Sequence, residues 1–441
     1  MDTGFAVLAV LIVLYAVLAT KLGNWSITMP LVFVAVGVAL GPGGFGLLDF
    51  SPEAERVRRL TEITLALLLF ADASTLSLAQ VRDDSGPPLR LLTIGLLGTI
   101  IIGAVAGILV LPAEGLAFAG LLGAMLAPTD AALGLPIFNN PRVPVRIRRA
   151  LNIESGLNDG IATPFVLLFL GFVAATETGG AEGHWLTSAL TEIVLAVVAG
   201  AIIGLAGGWL LRQAADRGWT SKGSLALATL GLALASYFGS LAIGGNGFIA
   251  AFVGGIVLSW ASQGRFAEET EFTEGAGTFL SLLVWVIFGA VLVTPVLGFT
   301  MGWRPILYAV LSLTLVRMLP VALAMAGTGF RRDTLAIMGW FGPRGLASVV
   351  FTLIALTRFQ DAGRAPDTLI AAATWTILLS VLAHGLSAVP LSTWYSKRLA
   401  AATERPLELM ELPELKQRRQ LLATQSRAHV GAAQITPSGK I

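Results

Sequence analysis

Thirteen apolar runs, separated by short charged segments, dominate this 441-residue chain. They fall at 4–20, 25–40, 60–79, 90–111, 115–138, 150–175, 187–211, 222–242, 246–260, 276–298, 305–326, 334–356 and 368–391. A bilayer core of about 30 Å takes about 20 helical residues, so most of the runs are span-length. The runs at 25–40 and 246–260 are short or glycine-rich. None alternates apolar with polar, and all exceed a strand of about 10 residues, which argues against a β-barrel. Charged residues make up 13% of the chain, about half the share of roughly 25% in soluble domains. That excludes a cytosolic enzyme and a disordered chain. The expected fold is an all-α polytopic membrane protein.

With no cysteine there is no disulfide framework, thiolate nucleophile or thiolate metal site. A net charge of +2, without a basic patch interleaved with aromatics, gives no sign of a nucleic-acid partner. Met1-Asp2 lacks a basic segment and precedes a span-length run, so a cleavable signal is not expected. Residues 1–400 are expected to form one transmembrane domain, and 401–441 a short polar cytoplasmic tail, either a surface helix or unstructured.

Arginine and lysine set the expected orientation. Four clusters fall on one side of thirteen crossings: Arg142, Arg146, Arg148 and Arg149; Arg212, Arg217 and Lys222; Arg331 and Arg332; and Lys397 and Arg398. That side is read as cytoplasmic, with the N-terminus outside and the C-terminus inside. The His184 loop, with Glu177 and Glu182, then lies outside. The inside loop 261–275 holds Arg265 against Glu268, Glu269, Glu271 and Glu274. The outside loop 41–59 fits the rule less well, since Arg56, Arg58 and Arg59 are offset by Asp49, Glu53 and Glu55.

Ionisable groups within apolar spans are costly, so they mark function. In LLAPTDAALGLP of span five, Pro128 removes a helix donor and frees carbonyls near Thr129 and Asp130. Freed carbonyls beside a carboxylate suit a cation site, although a kinked helix facing a crevice would look similar. In NIESGLNDGIATP of span six, Glu154 and Asn158 share one helix face, and Ser155, Asp159 and Thr163 share the next. A cap or polar glue would explain one of these residues, but not the cluster. In GWFGPRGLASVV of span twelve, Gly342 and Pro343 break the helix beside Arg344. Its candidate partners are Glu154, Asp130 and Asp159, unless it snorkels to the interface. Asp72 in LLLFADAST of span three fits either the ion path or a structural role. Gly200, Gly204 and Gly208 form a small-residue stripe suited to close packing, internally or at a dimer seam. His384 is a lone residue, read as structural. Asn246 and Gln263 are isolated polar signals.

The breaks in spans five and twelve are seven spans apart. If spans one to six and eight to thirteen are repeats, the two halves are inverted and the broken helices face one another. Their opposed charges, Asp130 and Arg344, would compensate the dipoles of crossed half-helices. The oxygen donors suit a hard monovalent cation. A carboxylate that binds the cation must be ionised, and burial penalises that form once the cation leaves, so a proton takes its place. That competition suffices for antiport. Asp159 is the expected switching group, with Asp130 coupled to it. One cation for one proton through one carboxylate is electroneutral. No carbonyl-ring filter argues for a channel, and Ser155 has no histidine near it in sequence for hydrolase chemistry.

These residues resemble the monovalent cation:proton antiporter-1 family, in its prokaryotic Na⁺/H⁺ exchanger (NhaP-like) branch. The likeness rests on APTD around Asp130, NIESGLND from Glu154 to Asp159, and GPRG around Arg344, and covers roughly 5–395. It implies a homodimer of thirteen-helix protomers in the cell membrane, each split into a dimerisation part and a six-helix transport part. It implies cation binding by Asp130, Asp159, Ser155 and the main-chain carbonyl of Thr129. It also implies an ion pair between Glu154 and Arg344, with Asn158 holding the crossed helices. Relatives that move net charge carry two adjacent aspartates, whereas this chain has Asn158-Asp159. The resemblance thus implies electroneutral exchange of Na⁺ (or Li⁺) for H⁺ with no cofactor; K⁺/H⁺ exchange is the alternative. Some relatives place a glutamate near Asp72 as an ion ligand, and its role here stays open.

Overall fold

In hydrocarbon a backbone must satisfy its own polar groups, and the described residues do so mainly with helices. A computed structural model describes residues 2–48, 50, 55–75, 85–130, 133–134, 137, 140, 143–177, 184–298, 302–361, 367–401 and 407–409. The helices are α1 (Asp2–Asn24), α2 (Met29–Leu40), α3 (Glu55–Thr75), α4 (Gly86–Val110), α5 (Gly115–Met125), α6 (Val145–Glu177) and α7 (His184–Asp216). There follow α8 (Lys222–Ala242), α9 (Gly247–Ser262), α10 (Ala267–Gly298), α11 (Arg304–Ala324), α12 (Arg332–Trp340), α13 (Leu346–Asp361) and α14 (Asp367–Ala400). Arg142, Glu182, Asp49, Glu53 and the tail acids and bases Glu404, Glu411, Glu414, Lys416, Arg418 and Arg419 lie outside the described residues.

Among the described residues, α1, α4, α6, α7, α8, α10, α11 and α14 are long and apolar enough to cross a bilayer. The shorter α2, α5, α9 and α13 are apolar as well. Large apolar side chains such as Val17 and Ile202 stand exposed on the outer faces, an arrangement suited to lipid. The chain is a multi-pass membrane protein.

Small residues set how closely the helices approach. A Cβ on Gly200, Gly204 or Gly208 of α7 would collide with α9 at Ala250, Gly254 or Ala261 respectively. The glycine stripe therefore serves internal packing. Helices α2, α3, α7, α8, α9 and α10 pack with one another, while α4, α5 and α11 to α14 pack around the chain breaks. Helix α6 touches both groups, and α13 meets α3 and α10.

Several expected boundaries move. Glu268, Glu269, Glu271 and Glu274 are not in a loop but in the first turns of α10, and Glu274 is buried. Acids there complement the positive end of the helix dipole, which the apolar run starting near 276 did not reveal. Asn246 caps α9, its Oδ1 accepting from the N–H groups of Phe248 (3.0 Å) and Ile249 (3.1 Å). Gln263 ends α9 in the left-handed region, φ 56°. Helix α6 begins at Val145, so Arg146, Arg148 and Arg149 sit within its first turns.

Candidate functional site

Two helices are interrupted at the proline motifs. Helix α5 stops at Met125, and residues 126–130 form a non-helical stretch. Helix α12 stops at Trp340 and α13 starts at Leu346, leaving Phe341–Gly345 non-helical between them. The two breaks touch. Asp130 donates its backbone N–H to the Pro343 carbonyl at 2.8 Å. The Leu346 N–H donates to Asp130 Oδ2 at 3.0 Å. Asp130 thus lies at the N-terminus of α13, where free N–H groups and the helix dipole favour a carboxylate. Gly345 is required by this approach, because a Cβ there would overlap the Asp130 carboxylate.

Helix α6 supplies the second wall. Ser155 Oγ donates to the Thr129 carbonyl at 3.0 Å and lies 3.2 Å from Thr129 Oγ1. Asn158 Nδ2 donates to Thr129 Oγ1 at 2.6 Å. Its Oδ1 is buried with no protein hydrogen-bond partner. Asp159 follows on the face of Ser155, and its carbonyl accepts from Thr163 Oγ1 at 2.8 Å. Thr129, Ser155 and Asn158 are buried, while Asp130 and Asp159 are half-buried. The arrangement gathers carboxylate, hydroxyl, amide and carbonyl oxygens, the donor set of a hard cation. Asp72 stands half-buried on a different helix, α3, which packs against α9, α10 and α13.

The Glu154–Arg344 ion pair implied by the resemblance is not formed; Glu154 pairs with Arg317. Arg317 Nη1 and Nη2 meet Glu154 Oε1 and Oε2 at 2.6 and 2.9 Å, and both side chains are buried. Arg344 Nη1 instead donates to the carbonyls of Ala127 (2.8 Å) and Pro128 (3.4 Å), and Nη2 to that of Ser312 (3.4 Å). Those carbonyls follow the end of α5 and close the first half of α11, which is interrupted at Thr314. Two helix C-termini carry enough partial negative charge to hold a guanidinium without a carboxylate. Each break thus places its charge on the other: Arg344 at the end of α5, Asp130 at the start of α13.

Arg317 is the residue that sequence reasoning missed. It lies in the apolar stretch LTLVRMLPVAL, so the rule that singled out Asp72 and Arg344 applies to it equally. Gly342 makes room for it, since a Cβ there would overlap its guanidinium. Glu62 is a second missed acid: it accepts from Tyr237 Oη at 2.8 Å, and its side chain is only 13% exposed.

The family model described as sodium/hydrogen exchanger, transmembrane, matches residues 7–394. The K(+)/H(+) antiporter NhaP2 of Shewanella baltica is 25% identical over 394 residues, 87% of this chain. The chain covers 64% of that relative's length. The Na(+)/H(+) antiporter 2 of Zygosaccharomyces rouxii is 29% identical over 259 residues, 55% of this chain and 31% of that protein. Among solved structures, the sodium proton antiporter MjNhaP1 of Methanocaldococcus jannaschii at pH 8 superposes with a TM-score of 0.70 at 20% identity, covering 90% of this chain and 99% of its own. The fold is that of this structure, and with a family match spanning nearly all its apolar runs, the chain belongs to the sodium/hydrogen exchanger family.

Proposed function

We propose that the chain is a secondary active antiporter that exchanges a monovalent cation for H⁺ by alternating access. The observation that carries this reading is the contact of the two breaks at Asp130, with Thr129 hydrogen-bonded to Ser155 and Asn158 on the turn of α6 that carries Asp159. A largely buried cluster of oxygen donors has little use in a purely structural role, where each polar group would cost stability. In this reading Asp159, Asp130, Ser155 and the Thr129 carbonyl hold the cation, and Asp159 exchanges it for a proton. Asp72 lines the path to the site. With asparagine at 158 only one aspartate of the pair switches, so exchange is one-for-one and electroneutral.

For the cation, K⁺ comes first. The relatives that align over 87% of this chain are K⁺/H⁺ antiporters by name. Na⁺ (with Li⁺) is the second reading, favoured by the name of the Zygosaccharomyces relative and by the structural neighbour. In this reading the N-terminus is outside and the C-terminus in the cytoplasm, an orientation supported by the positive clusters. The protomer is taken to have thirteen crossings in two inverted halves and to work as a homodimer in the cell membrane.

The test uses purified protein in proteoliposomes with an internal pH probe and clamped voltage. Adding K⁺, Na⁺ or Li⁺ should move protons independently of voltage, and the effective ion decides selectivity. Cation flux without proton movement would instead mark a channel.

A further inference from the structure

Breaking a helix orphans carbonyls at the end of one half and N–H groups at the start of the next. The α12–α13 break lies in the protein interior, so those groups need partners. Helix α14 supplies them. The Arg344 N–H donates to Ser380 Oγ at 2.6 Å. Ser380 Oγ lies 3.2 Å from His384 Nδ1, and His384 Nε2 lies 2.7 Å from the Trp340 carbonyl. Nδ1 also lies 2.9 Å from the Ser380 carbonyl. A carbonyl only accepts, so each ring nitrogen of His384 faces a backbone acceptor, at Ser380 and at Trp340. A continuous set of contacts runs from the Arg344 N–H through Ser380 and His384 to the Trp340 carbonyl. These contacts span the break, meeting the acceptor at Trp340 on one side and the donor at Arg344 on the other. His384 is 1% exposed, and its ring stacks on Trp340 with centroids 5.0 Å apart. Trp340 Nε1 in turn donates to Ser387 Oγ at 2.9 Å, one further turn along α14.

We propose that His384, acting through Ser380, is a positioning residue for cation binding: it sets the geometry of the break that orients Asp130. The proposal rests on the transport reading above. The two anchored residues, Trp340 and Arg344, bracket Pro343, and Arg344 stands two residues before Leu346. Pro343 and Leu346 are the groups that hold the Asp130 backbone and carboxylate. Loosening the anchors moves the carboxylate without touching it.

The experiment compares full-length wild type with His384→Leu, His384→Gln and Ser380→Ala. It measures KM and kcat for the transported cation in proteoliposomes. In parallel it measures hydrogen–deuterium exchange of the segment 340–347. Losing one buried hydrogen bond should raise KM by roughly three- to tenfold in His384→Leu, with kcat unchanged. Exchange at the Arg344 and Leu346 amides should accelerate. Ser380→Ala, a smaller change in volume, should do the same. His384→Gln keeps an N–H for the Trp340 carbonyl and should stay near wild type. Wild-type KM and wild-type amide exchange in both His384→Leu and Ser380→Ala would overturn the proposal, even if melting temperatures fall. So would a glutamine variant as defective as the leucine variant. A wild-type protein that exchanges no cation for protons would refute the transport reading, and with it the cation-binding role of His384. Amide exchange, read independently of transport, would still decide whether His384 anchors the break.

Discussion

The carboxylate of Asp130, carried by one broken helix, accepts the N–H of Leu346 at the start of the other at 3.0 Å. A single group therefore joins the two broken helices, compensating the dipole at the start of α13 from the break that follows α5. Asparagine caps helices nearly as well as aspartate, so Asp130→Asn should fold with a melting temperature near wild type. It should nevertheless lose cation-driven proton movement, because it lacks the charge. Full exchange activity in that variant would reduce Asp130 to a cap.

Asp159→Asn is expected to leave a folded protein without pH-dependent exchange. Its backbone bond to Thr163 Oγ1 does not involve the carboxylate. Proteoliposome flux across a pH series reads the outcome, and retained pH-dependent exchange contradicts the switching role.

Glu154 and Arg317 form a bidentate pair in the protein interior. Removing either partner strands a buried charge, at a cost of about 3–5 kcal/mol. Glu154→Gln and Arg317→Met should each lower thermal stability sharply, and the double variant should recover much of the loss. A double-mutant cycle on melting should show stronger coupling of Glu154 to Arg317 than to Arg344. Equal or reversed coupling would contradict the pairing.

Gly345 leaves space that the Asp130 carboxylate occupies. Gly345→Ala should displace Asp130 and cut exchange at least as severely as Asp130→Asn. Exchange at the wild-type level would mean that the close approach is dispensable.

Beyond α14, the turn Leu407–Leu409 returns to the first turn of α12. Glu408 is buried there and accepts from the Arg331 N–H at 2.8 Å and from Thr334 Oγ1 at 2.7 Å. It caps the outer end of the half-helix whose inner end His384 holds. Glu408→Ala should cost about 1 kcal/mol, the usual effect of losing a cap, and should accelerate amide exchange over residues 331–336. Unchanged exchange there would show that the turn does not hold α12.

The interruptions were legible because proline and glycine act locally: Pro128 and the Gly342-Pro343 pair mark both breaks without reference to the fold. The opposed charges of Asp130 and Arg344 also pointed to crossed half-helices, since the helix dipole is a property of any helix end. Grouping Ser155 with Asp159 and Glu154 with Asn158 followed from helical spacing alone. Partner choice did not follow. Whether Glu154 meets Arg344 or Arg317 depends on which groups already neutralise each arginine. For Arg344 those groups are backbone carbonyls at Ala127, Pro128 and Ser312, which no side-chain pattern encodes. His384 looked isolated for the same reason: its partners are the Trp340 carbonyl, 44 residues away, and the carbonyl and hydroxyl of Ser380. Local chemistry thus determined where the helices break and which charges stand at the breaks. Only the tertiary structure decided which backbone groups each charge satisfies, because a helix end gains its partners from whatever packing brings within hydrogen-bond reach.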